Sequence, residues 1–542
     1  MANHDSEISR FPLTPVGGCK ALAQRQTAQT GRHGRQFVQE APSGHTRLPM
    51  IRQQMVGETP MRERKQMCEV CRRDFISGAA ALGTAGLLSS SLMAQPPSGD
   101  TGSTRLPARG EFTISNAYVM TMEHDFGDLP GSSVHVRNGE IVAVGKAATS
   151  GGEQIDGTGM IVMPGLVETH WHMWNTIFRS FAGDKPEEGY FPTVARFGQQ
   201  MTPDDIFQST RLAAAEAINS GMTFVHSWCH NVRSTAHAEA DIRALSQAGI
   251  RARHSCGWPQ GLPDTQSADQ TPIETLARNW KDYSNEGLLT LGMGWRGQFR
   301  AGPIKPEVYQ PEFDNARKLG LPITVHVASA AHRAVGQVEL LYKSNLMGKD
   351  VQLIHALAIT PAELEMIDKS GASISTSPGS ELRIGYGFPM ISEILATRIP
   401  IGISIDTSAL TGNSNLFGVL KLARDCENAR AESEFKMTAR RALELGTIEG
   451  ARSMGIDDQV GSLRPGKRAD LIMISPNALN MAVVTDPAHL VLEATTPENV
   501  DTVVVDGRIL KRGGKLTAID TAEVITGART ALAGIRERTK WR

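Results

Sequence analysis

Two rhythms of hydrophobic and polar positions divide the chain from residue 111 onward. Residues 111–120 (EFTISNAYVM) and 133–145 (SVHVRNGEIVAVG) alternate with a period of two, which predicts short strands with one buried face. Asn138 and Gly139 fall between two such runs and mark a hairpin turn. The same texture returns near the other end, at 469–474 (ADLIMI) and 500–510 (VDTVVVDGRIL). The two stretches are expected to meet as a small β-sandwich domain built from both ends of the mature chain.

Between them, apolar strand candidates alternate with helical stretches, as parallel βα units require. Eight strands are predicted, at 160–170, 222–228, 250–256, 288–295, 321–328, 351–356, 372–377 and 401–406. Eight units in one α/β domain predict a closed (β/α)8 TIM barrel. An open doubly wound sheet is the runner-up, and no Gly-rich phosphate loop follows any of these strands. The expected boundaries are 111–162 and 456–520 for the sandwich, 163–455 for the barrel and 521–542 for a C-terminal helix.

Ahead of this body, residues 1–60 have no hydrophobic period and read as a disordered leader or a mis-assigned start, with Met61 or Met67 as alternative initiators. Residues 61–95 resemble a twin-arginine export signal: CRRDFI at 71–76, a weakly apolar Gly/Ala/Leu segment from Ser77, and a small-residue exit near Ala94. A linker at 96–110 follows. A periplasmic or exported enzyme is the expectation, cytoplasmic if the signal does not work. Cys68 and Cys71 have the spacing of half a zinc site, but no second pair completes it. Cys229, Cys256 and Cys426 are too few and too scattered for a disulfide framework.

Charge narrows the partners. The 56 Lys and Arg against 57 Asp and Glu leave no basic field for nucleic acid or an anionic membrane, so a small-molecule substrate is favoured. No apolar run approaches the roughly 20 residues of a membrane span.

A barrel gathers the ends of its strands at one mouth, and the chemistry-bearing residues fall there. His170 and His172 close strand one, with a spacing that puts both side chains on one face. His326 lies near the end of strand five, His355 ends strand six and Asp406 ends strand eight. Three imidazoles and a carboxylate from distant strands, converging on one point, suit a divalent metal. Zinc fits His and Asp ligands best, with iron, cobalt or manganese as alternatives.

The segments 163–172 (MPGLVETHWH), 323–327 (ITVHV), 353–356 (LIHA), 402–406 (GISID) and 461–471 (GSLRPGKRADL) resemble the amidohydrolase superfamily. They are most similar to its branch of cytosine, guanine and adenosine-type deaminases and triazine chlorohydrolases. The resemblance spans about residues 111–515 and implies a mononuclear site with His170, His172, His326 and Asp406 as ligands. Strand four (288–296, LLTLGMGWR) lacks the Lys or Glu that bridges two ions in binuclear members. In the implied chemistry Asp406 takes the proton of an activated water, and His355 polarises the group under attack.

One position departs from the branch. Its members carry a Glu three residues after the strand-five His, serving as proton donor, where this chain has Ser329. Serine titrates far too high to replace a carboxylic acid. Glu381 and His230, in loops beyond strands seven and two, are the substitute candidates. Trp171, Trp174, Trp228, Trp295, Arg296 and Tyr386 also follow strands, and they predict an aromatic mouth for a flat substrate with an anionic or carbonyl group for Arg296. The leading expectation is hydrolysis of a non-peptide carbon–nitrogen bond in a small cyclic or heteroaromatic substrate. A chlorohydrolase or (thio)carbamate hydrolase is the nearest enzymatic alternative. A catalytically weak metal-bearing binding protein is the non-enzymatic one. The superfamily's habits imply a homo-oligomer.

Overall fold

The computed structural model describes residues 106–541 apart from 147, 149, 150, 301 and 328–335. The twin-arginine-like segment, the Cys68/Cys71 pair and Ser329 lie outside these residues.

Five strands open the body: β1 (Glu111–Met120), β2 (Asp128–Arg137), β3 (Glu140–Gly145), β4 (Glu153–Asp156) and β5 (Ile161–Pro164). Asn138 and Gly139 connect β2 to β3 with φ of 52° and 84°, the left-handed pair that a tight hairpin needs. Four more strands come from the far end: β14 (Leu471–Ile474), β15 (Val500–Val505), β16 (Arg508–Arg512) and β17 (Lys515–Leu516). The two groups join where β14 pairs antiparallel with β5, so both ends of the body form one continuous nine-stranded sheet. Its core is Phe112, Ile114, Val119, Val134, Val136, Leu471 and their neighbours.

The remaining strands are β6 (Leu166–Trp171), β7 (Met222–Cys229), β8 (Arg251–Gly257), β9 (Leu289–Trp295), β10 (Ile323–Val327), β11 (Val351–His355), β12 (Ser373–Thr376) and β13 (Ile401–Ile403). They pair in sequence order, all parallel. The first and last meet through His172 N donating to Asp406 O (2.6 Å) and Asp406 N donating to His170 O (2.9 Å), which closes the barrel. Every residue of β6 and β7 is buried, as expected for strands covered on both faces.

One expectation needs correction. Residues 160–170 were read as a single strand, and they are two in different sheets. Pro164 ends β5 in the outer sheet, and Leu166 starts β6 in the barrel. Gly165 makes the transfer possible, since a Cβ there would lie 2.0 Å from the Thr223 side chain. An apolar run looks the same on either side of such a crossing, so periodicity could not divide it.

The helices are capped as their sequences require. Thr202 and Asp205 form a reciprocal capping box on Pro203–Asn219, and Thr360 with Glu363 does the same for Pro361–Ser370. The C-terminal helix Thr521–Thr539 is tied to the barrel by Arg211 pairing with Glu523 (2.8 Å) and Arg538 with Asp205. The outer sheet is pinned to β8 by a buried fork: Arg251 donates to both carboxylate oxygens of Asp470 (2.9 and 3.0 Å) and to Asp506 (3.3 Å).

Candidate metal centre

Strand β6 runs straight into the site, and Glu168 sets its end. This fully buried carboxylate accepts the backbone N–H of His170 (2.8 Å) and of Ile405 (2.9 Å). It thereby fixes two neighbouring strand ends, one carrying His170 and the other Asp406. Burial pushes its pKa well above the carboxylate range, against the pull of the two N–H donors. Glu168 was missed in the sequence, although the period-two spacing 168, 170, 172 was visible there.

One ligand-type atom from each of His170, His172, His326 and Asp406 lies within 4.8 Å of the others. Among the described residues no other such group occurs. Asp406 Oδ1 stands 3.2 Å from His170 Nε2 and 3.3 Å from His172 Nε2. Ligands at about 2.0–2.1 Å from a tetrahedral ion are about 3.3 Å apart, so these separations fit a shared metal. Neither buried ring nitrogen of His170 has a hydrogen-bond partner among the described residues, a costly arrangement that a cation at Nε2, the nitrogen facing Asp406, would relieve at that atom.

Protonation states agree. Burial pushes His170 down to about 3, and burial with neighbouring imidazoles holds His326 well below its usual range, so both rings are neutral at pH 7. Burial alone would raise Asp406, but the surrounding imidazoles outweigh it and keep the carboxyl well below the usual carboxylate range. Neutral imidazole and ionised carboxylate are the forms that bind a metal.

His355 stands beside this group, its ring centre 5.2 Å from that of His326. Its Nδ1 lies 3.0 Å from Glu381 Oε1, which also accepts from Ser377 N (2.6 Å) and Thr376 Oγ1 (3.0 Å). Burial opposes a charge on His355, yet the Glu381 hydrogen bond and the Asp406 charge raise its pKa above the ordinary histidine value. His355 and Asp406 both have positive φ, 75° and 64°. For non-glycine residues this costs on the order of 1–3 kcal/mol each, strain that concentrates where side-chain direction matters.

A cavity of about 440 Å3 opens over the group, lined by His172, His326, His230, Trp228, Trp258, Tyr190, Phe191, Phe299, Arg296, Arg300 and Tyr386 among others. A larger one, about 870 Å3, lies at the opposite end of the barrel around Arg253, Lys349 and Arg398 and holds none of the four clustered residues. The smaller cavity is the one lined by residues of the cluster, His172 and His326.

The structure distributes the expected substrate residues unevenly. His230 and Tyr386 line the cavity. Trp174 and Glu381 do not; they stand one layer back, Trp174 donating to His230 Nδ1 (3.2 Å) and Glu381 bonded to His355. Arg296 reaches the wall, but its guanidinium is already held by Glu312 (2.7 Å) and by the carbonyls of Pro263 and Gln266. Trp171 and Trp295 are fully buried packing residues. Tyr190, at the start of the helix Tyr190–Gly198, and Trp258 and Arg300, in loops, came without warning, because those positions carry no periodic signal.

The model of the family described as "Amidohydrolase family" matches residues 161–510. A 5'-deoxyadenosine deaminase of Methanosarcina barkeri is 27% identical over 442 residues, covering 78% of this chain and 97% of that protein. An adenosine deaminase from Xanthomonas campestris, solved with bound zinc, superposes with a TM-score of 0.68 at 22% identity, over 80% of this chain and all of its own. The atrazine chlorohydrolase of Arthrobacter aurescens TC1, complexed with zinc, gives 0.67 at 22% identity over 78% and 99%.

Proposed function

The chain belongs to the amidohydrolase family, and from that premise we propose that it hydrolyses a non-peptide carbon–nitrogen bond in a small heteroaromatic substrate, releasing ammonia. An aminated purine or purine-like ring is the substrate class, supported by the adenosine-type deaminases among its relatives and by the aromatic cavity walls. The observation that carries the reading is the group His170, His172, His326 and Asp406, in which the buried ring nitrogens of His170 have no hydrogen-bond partner among the described residues and His172 and His326 line that cavity.

Those four residues would hold one divalent ion, zinc by preference. Bound there, such an ion acts as a Lewis acid that brings the pKa of water from about 15.7 toward 7. Asp406, ionised and pointed into the group, accepts the proton of the attacking water. His355, whose protonated form the Glu381 hydrogen bond favours, donates a hydrogen bond to the ring nitrogen beside the attacked carbon, where negative charge develops. Trp228, Trp258 and Tyr386 hold the planar ring.

The test is a panel of aminated heterocycles, chlorotriazines and thiocarbamates offered to metal-loaded protein, with ammonia, chloride and thiol assayed separately. Ammonia from an aminated ring supports the proposal. Chloride or thiol alone would transfer it to the alternative hydrolases, and metal retention with no product would leave a binding protein.

Export through the 61–95 segment and assembly into a homo-oligomer are part of the proposal. No helix among the described residues is long and apolar enough to cross a membrane. A reporter fused behind residues 61–95 tests export, and sedimentation tests assembly.

A further inference from the structure

His230 makes contacts that decide which of its nitrogens carries a proton. Trp174 Nε1 lies 3.2 Å from His230 Nδ1, and an indole nitrogen is a donor only. His230 Nδ1 must therefore accept. His172 Nδ1 lies 2.8 Å from the same atom, while His172 Nε2 faces Asp406 at 3.3 Å. If His172 serves as a ligand through Nε2, the nitrogen that faces the metal group, Nδ1 is the ring atom left to carry a proton. There it finds two acceptors, the Trp228 carbonyl (3.2 Å) and His230 Nδ1. A proton on His230 Nδ1 would confront one N–H for certain and a second whenever His172 serves as a ligand.

Resting on the reading of this cavity as a substrate site, we infer that His230 is locked by Trp174 as the neutral Nε2–H tautomer and acts as a fixed hydrogen-bond donor to the substrate. Nε2 makes no hydrogen bond to a described residue, and His230 lines the cavity with its ring flanked by Trp228 and Trp258, at centroid distances of 5.1 and 5.5 Å. The partner it selects is a lone pair in the plane of a flat ring, either a ring nitrogen without hydrogen or a ring carbonyl. His230 is consequently not the substitute for the carboxylic acid missing at Ser329. Giving up its only N–H would leave an imidazolate, and a proton gained on Nδ1 has nowhere to point. It is a specificity residue, and the leaving group's proton comes from elsewhere.

Long-range 1H–15N correlation on zinc-loaded, histidine-labelled protein reads the tautomer without turnover, with His230→Asn supplying the assignment. The expected pattern for His230 is unprotonated Nδ1 and protonated Nε2, and Trp174→Phe should convert it to a mixture. Imidazolium or Nδ1–H at His230 overturns the inference. With zinc content unchanged, His230→Ala should raise KM roughly tenfold, the worth of one hydrogen bond, and leave kcat much less affected. His230→Asn, which restores a donor, should recover part of the loss. A fall confined to kcat would mark a proton donor and overturn the specificity role. A protein that hydrolyses nothing in the panel but shows the Nε2–H pattern would refute the proposed function and leave the lock standing.

Discussion

Glu381→Gln isolates the charge behind His355 from the shape around it. Glu381 Oε1 accepts from His355 Nδ1 (3.0 Å), Ser377 N (2.6 Å) and Thr376 Oγ1 (3.0 Å), while among the described residues Oε2 meets Thr376 Oγ1 alone (3.0 Å). An amide can place its oxygen at Oε1 and keep the bonds from His355 Nδ1 and Ser377 N, with the Thr376 hydroxyl turning to accept from the new NH2. What disappears is the negative charge. A hydrogen bond to a charged group is worth about 1.5–3 kcal/mol and a neutral one about 0.5–1.5, so the protonated form of His355 loses about 1–2 kcal/mol. The wild-type pKa is raised, so the protonated donor persists as pH climbs and is lost only through that raised value. The stabilisation it lends the fold follows the same course, complete below the unfolded pKa and lost as pH rises through the folded one. In Glu381→Gln the alkaline limb of kcat/KM should therefore move to lower pH, with a rate loss of roughly 5–30-fold on that limb. The pH–rate profile is read beside a thermal melt and a zinc assay. An unshifted alkaline limb in a folded, zinc-bearing variant would refute the role assigned to the pair.

Two further substitutions test the frame. Arg251→Ala leaves Asp470 buried without the only cation paired with it among the described residues, an expected loss of about 3–5 kcal/mol that denaturant unfolding would register. An unchanged midpoint would show that the fork does not join the outer sheet to the barrel. Arg296→Ala is expected to destabilise in the same range, because buried Glu312 loses its partner. A variant of wild-type stability with only a raised KM would reinstate Arg296 as the substrate anchor.

The contrast between Arg296 and His326 shows what a sequence carries. His326, His170, His172 and Asp406 were legible because a barrel fixes where strand ends go, so four residues spread over more than 200 positions share one mouth whatever the loops do. Arg296 follows its strand as directly, but its direction depends on Glu312 and on the loop carbonyls of Pro263 and Gln266, which no local pattern announces. Glu381 was noticed as a loop carboxylate and placed at the substrate. Its true partner is His355, reached because Ser377 N and Thr376 Oγ1 turn the carboxylate inward. Glu168 escaped because its hydrogen bonds go to backbone, and a side chain that fixes two strand ends looks like any buried anomaly until the strands are paired.

The most direct measurement is the metal content of the purified chain and of its His170→Ala and Asp406→Ala variants, by elemental analysis after exhaustive dialysis against metal-free buffer. The arrangement of three imidazoles and one carboxylate predicts about one divalent ion per wild-type chain and a large deficit in each folded variant. A wild-type protein that retains no ion after exposure to zinc, iron, cobalt and manganese, or variants that keep the full complement, would contradict the account at its centre.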